Sequence, residues 1–184
     1  MKRGRELIDE HLDKGALPLL PFIASLEAEA PASVPIAAVF LTSAPEFVPH
    51  ALLHNLKHNG MMLHERIVIC HVKVLPVPRV PAAQHVVVER LSRRFFRVSI
   101  YYGFMEEQDV PATLEWCGEQ GLALEPMATS YFIGRETVLP RVHRGMSAWR
   151  QRLFAAMFRN AGTSADHFKL PPNRVVELGT QVTL

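Results

Sequence analysis

Apolar and polar residues fall along this chain in short blocks whose period changes repeatedly. Ile36–Leu41 is apolar at every position and too short for a helix, which predicts a strand buried on both faces. Pro49 suits a first helical turn. Leu52, Leu53 and Leu56 then recur at helical spacing, and Asn59-Gly60 supplies a stop. Ile67–Val74 begins apolar and ends alternating, as a second strand would. Together these predict a β-α-β unit with parallel strands and a right-handed crossover.

Pro76, Pro78 and Pro81 interrupt the pattern. Val86–Leu91 and Phe95–Tyr102 then read as a hairpin turning at Ser92-Arg93-Arg94. Asp109 is placed to cap a helix with Pro111 in its first turn. Val110, Leu114 and Cys117 share its inner face, and Gly121 ends it. Tyr131–Ile133 predicts a short strand. Trp149, Leu153, Ala156 and Met157 form the stripe of a helix over Ala148–Asn160, and Val175–Leu184 predicts a last strand. Upstream, residues 3–14 read as a charged helix. Four prolines between 17 and 35 make that stretch a connector around a short helix near Phe22–Glu29. The expected architecture is α/β: a mixed, mostly parallel central sheet flanked by helices, with one antiparallel hairpin. The expected organisation is a helix and connector over 1–35 and a single domain over 36–184.

Composition narrows the class. The chain has 184 residues, 48% hydrophobic and 21% charged, enough apolar matter for one packed domain. A net charge of +2 gives no ground for expecting nucleic-acid binding. Cys70 and Cys117 are too few and too isolated for a disulfide framework or a zinc site, which favours a reducing compartment. No apolar stretch reaches the ~20 residues that span a bilayer, and the charged start lacks the apolar core of a signal peptide. The chain taken alone is therefore expected to be soluble. Charge is segregated: Val98–Gly134 holds no Lys or Arg but six acidic residues, whereas Arg135–Arg159 holds six arginines. Such segregation arises from solvated helix faces or from a surface that meets anions.

Catalytic patterns are sparse. His50, His54 and His58 repeat every four residues, as in helical metal sites, yet no carboxylate or cysteine joins them at matching spacing. Glu106 and Glu107 are adjacent, so an extended backbone sends them to opposite sides. Tyr101, Tyr102 and Phe104 could stack on a base, but an aromatic strand edge packed on the core explains them as well. There is no P-loop, GxGxxG or GxSxG. Thr42 and Ser43, just past the first strand, and Arg135, after Gly134, are the candidate anion or nucleotide contacts.

Several segments together resemble the C-terminal region of Kup-type (KUP/HAK/KT) potassium uptake permeases. They are Lys2–Leu7; Val39–Ser43; Pro49–Asn59; His64–Arg66; Arg79–Pro81; Tyr102–Glu106; Asp109–Pro111; Ser130–Glu136; and Pro171–Val182, in that family's order. The resemblance implies a regulatory and assembly domain of a proton-coupled potassium symporter, at the cytoplasmic face of the bacterial inner membrane. It implies no enzyme activity, no cofactor and no ion pathway within this stretch. It gives Lys2, Arg3 and Arg5 a juxtamembrane role against anionic headgroups, worth about 1 kcal/mol each. The implied partner is the transporter's own transmembrane part; a second copy of the domain is expected as well, with the last strand, Val175–Leu184, as the candidate edge because it would otherwise leave unpaired backbone beside apolar side chains. Two alternatives stand beside this reading: a module that gates the transporter on sensing a small nucleotide such as cyclic di-AMP, and a metal-dependent hydrolase built on His50, His54 and His58.

Overall fold

The computed structural model describes residues 17–29, 32–59, 63–125, 128–139 and 164–183. The expected helices over 3–14 and Ala148–Asn160, and with them Lys2, Arg3 and Arg5, lie outside the described residues. In chain order the elements are α1 (Leu19–Ala28), β1 (Ser33–Leu41), α2 (His50–His58), β2 (Leu63–Leu75), β3 (Val86–Arg90), β4 (Phe95–Gly103), α3 (Val110–Glu115), β5 (Thr129–Leu139), α4 (Ser164–His167) and β6 (Val175–Thr183). A 3-10 turn over Trp116–Gln120 extends α3.

The strands form one sheet in the order β3-β4-β2-β1-β5-β6. Every pairing is parallel except β3 with β4. This is the mixed α/β sheet with one antiparallel hairpin that the pattern predicts. β1 carries no alternation at Ala38-Val39-Phe40 because a central parallel strand is covered on both faces. Phe40 and Ala38 join Ile67, Ile69, Phe95 and Phe132 beneath α1 and α2. Val39, Val68, Cys70, Val98 and Ile100 face the other way, toward Val110, Leu114 and Cys117 of α3 and its extension.

Local devices set the ends of these elements. Pro35 falls where β1 pairs on one side only, and the register slips between Val34 and Ala37 so that two residues oppose one. Asp109 caps α3 through its side-chain oxygen, which accepts from the Ala112 amide at 3.0 Å, a contact worth about 1 kcal/mol. Gly121 ends the 3-10 turn at φ 85°. Residues before α1 enter along the loop that follows β1: the Val48 amide donates to the Leu17 carbonyl at 2.9 Å and the Leu19 amide to Glu46 at 3.0 Å. Leu19, Phe22, Ile23 and Leu26 then bury α1 in the same core as α2. Among the described residues, no helix is long and apolar enough to cross a membrane.

Candidate functional site

β1 is where the sheet changes direction. The chain steps from β1 to β2 on one side, while β5 and β6 extend the sheet on the other. In open α/β sheets, a crevice for ligands forms at such a point, beyond the carboxyl ends of the strands. A cavity of about 340 Å³ lies there. Leu41, Thr42 and Ser43 border it from β1, Ile133 and Gly134 from β5, and Cys70 and Val72 from β2, with Phe168 closing it after α4.

The β1 loop is held firmly at its base. The Thr42 amide donates to the Cys70 carbonyl at 2.9 Å, prolonging the ladder, and the Ala44 amide donates to Thr42 Oγ1 at 3.1 Å. His71 Nδ1 lies 3.1 Å from the Thr42 carbonyl. At Gly134 a Cβ would meet nothing within 4 Å, so the β5 side is open. Complete burial pushes the Cys70 thiol far up, with Cys117 adding to the effect. The thiol therefore stays protonated and is no nucleophile. The cavity can offer hydroxyls, main-chain groups and apolar wall to a bound molecule, and among its described lining residues it holds no acid–base pair. Thr42 and Ser43 thus border the same cavity. Arg135 follows Gly134 in β5, opposite Gly179 of β6; its side chain lies outside the described residues.

The other chemistry-bearing residues disperse. His54 and His58 stack at 5.9 Å on α2. Partial burial lowers the His54 pKa, and His58, His50 and Lys57 lower it further. No group of three metal-binding side chains occurs among the described residues. Glu106 and Glu107 diverge as expected. Glu106 turns inward, its Oε2 accepting from the amides of Gly103 at 2.6 Å and Val80 at 3.1 Å. The Gly103 amide, more than the Val80 amide, His85 and Arg79, holds its carboxyl below the usual range. Glu107 pairs with Lys169. Tyr102 is a core residue: its hydroxyl lies 2.7 Å from Thr113, whose own proton goes to the Asp109 carbonyl, so Tyr102 donates. Burial pushes its pKa to about 12. Phe104, by contrast, is 61% exposed.

His64 is buried between Phe40 and Phe132, meeting both rings edge-on. Burial lowers its pKa from 6.5. The unfolded chain therefore takes up the proton first, so stability is complete above pH 6.5 and falls as the pH drops through that value. We expect thermal melts between pH 7.5 and 5.5 to show this loss, and His64→Leu to flatten the profile. An unchanged slope in that variant would exclude His64 as its source.

Residues 35–184 match the family described as K+ potassium transporter C-terminal domain. The whole chain is 51% identical over 183 residues to "Probable potassium transport system protein Kup 3" of Dechloromonas aromatica (strain RCB), covering 29% of that protein. It is 49% identical over 183 residues to "Probable potassium transport system protein Kup" of Azoarcus sp. (strain BH72), covering 28%. The protein of the same description from Pseudomonas savastanoi pv. phaseolicola is 50% identical over 183 residues, with 29% covered. The chain thus spans less than a third of the length of these relatives. No solved structure matches it.

Proposed function

Since the chain belongs to the K+ potassium transporter C-terminal domain family, we propose that it is the cytoplasmic regulatory and assembly domain of a proton-coupled potassium uptake transporter. One observation carries this reading. The loop that borders the switch-point cavity with Thr42 and Ser43 also pairs, four residues on, with the chain leading into α1. Whatever occupies the cavity can therefore bias the connection to the rest of a transporter, provided it fits one arrangement of that loop better than another. The test is a chimera in which this chain replaces the matching region of the Dechloromonas protein. Ser43→Trp, which fills the cavity, should change the potassium uptake rate severalfold at unchanged protein level. Uptake equal to the unsubstituted chimera would overturn the reading.

The same cavity favours a second reading, in which its occupant is a small nucleotide. Calorimetry with cyclic di-AMP, ATP and AMP decides it: heat that Ser43→Trp abolishes supports a nucleotide, and no heat with any of them removes it. For assembly, β6 lies at the sheet edge with Val176 41% exposed, and such an edge can pair with its twin. Light scattering of the chain should show a dimer that Val176→Lys weakens. A strict monomer at high concentration would rule out self-assembly by this domain.

A further inference from the structure

The amino ends of the parallel strands, opposite the cavity at Thr42 and Ser43, carry a second feature, which the reading above does not use. The strand starts of β1, β2 and β4, the end of β3 and the β3–β4 turn enclose a polar groove of about 500 Å³. Arg66, Arg90, Arg93 and Arg94 line it, with Glu65 as the one carboxylate among its described lining residues. The sequence hides this cluster because only the β2–β4 pairing brings position 66 beside the hairpin.

Two of these guanidiniums are held in place. Arg66 donates to the Ala123 carbonyl. Arg90 Nε donates to the Ser92 carbonyl at 3.0 Å, and its guanidinium lies 5.9 Å above the Phe96 ring. Neither has a carboxylate partner among the described residues, and Arg93 has no hydrogen-bond or ion-pair partner there. Glu89, next to Arg90 in β3, is directed to Arg97 instead, at 2.9 Å. Three guanidiniums, those of Arg66, Arg90 and Arg93, without a carboxylate partner among the described residues leave the groove positive, and a concave wall concentrates that field. Positioned arginines present the paired N–H geometry that phosphate oxygens accept. The volume falls within the range of about 300–1,000 Å³ for small-molecule sites, larger than a lone phosphate needs.

We propose that this groove binds a phosphate-bearing anion, with Arg90 and Arg93 as its principal contacts and Arg66 as a third. The chain from Leu17 reaches the domain beside the loop at the carboxyl end of β1, at the far end of the strands from this groove, which favours a soluble phosphoanion over a lipid headgroup. The test is titration of the chain at low salt with inorganic tripolyphosphate, and separately with vesicles of phosphatidylglycerol. Tripolyphosphate should bind, and the double variant Arg90→Gln/Arg93→Gln should weaken it about tenfold or more. Glu65→Gln should tighten it, an independent readout if the double variant folds poorly. Lys73→Gln/Arg79→Gln removes equal charge from exposed positions elsewhere and should change affinity no more than about twofold. Binding to vesicles alone, with the same variant pattern, supports the groove and assigns the phosphate to a headgroup. Binding of neither probe, or equal weakening by both double variants, overturns the proposal.

Discussion

Phe40→Ala is expected to lower stability by about 4 kcal/mol, the middle of the range for emptying a buried aromatic position. Phe40 is fully buried in the central strand and stacks on Phe132 at 4.6 Å, with the His64 ring against its edge. It has strands on either side and helices α1 and α2 above, so neighbours cannot close over the void without moving the sheet. A loss of that size is a large share of the ~5–15 kcal/mol that holds a typical domain together. Urea unfolding should show the midpoint shifted with an unchanged slope. A loss below about 1.5 kcal/mol would mean the site collapses freely, against the packing described.

Gly103→Ala is expected to cost about 3 kcal/mol by the opposite cause, overpacking. A Cβ at Gly103 would stand 2.3 Å from the Pro78 carbonyl oxygen and 2.6 Å from the Arg79 nitrogen. Both are main-chain atoms, and the proline loop cannot yield as a flexible side chain would. The loop is fastened to the end of β4 by the Phe104 amide on Val77, the Met105 amide on Pro78 and the Glu106 carboxylate between Gly103 and Val80. Thermal melting should register the loss. If Gly103→Ala melted within a degree or two of the parent, the close approach would have no energetic weight.

These two positions differ in how far the sequence reveals them. The burial of Phe40 follows from its place in an unbroken apolar run, and the β1-α2-β2 unit, the hairpin and the Asp109 cap follow from similar local patterns. Gly103 looks like an ordinary strand-end glycine, because its constraint is a loop more than twenty residues earlier. α1 starts at Leu19 rather than near Phe22 because Pro21 sits in the first turn, where its missing N–H costs nothing. β5 continues to Leu139 through Gly134-Arg135-Glu136, a polar stretch that reads as a strand only once β6 lies beside it. Thr42 and Ser43 are legible as a strand-end loop, whereas the arginine groove is assembled by strand pairing from distant positions. Adjacency in sequence says only that Glu106 and Glu107 diverge, and the fold alone reveals the main-chain amides that Glu106 holds.

The short bridge at Pro18 and Phe47 gives the domain a mechanical character. Two peptide hydrogen bonds, each worth about 1 kcal/mol net, fix residues 17–19 there. The sheet beyond is gripped on both sides of β1 and over two faces. A pull on the polypeptide from its N-terminal side would thus release this clasp before it disturbed any strand, and slack would let it close again.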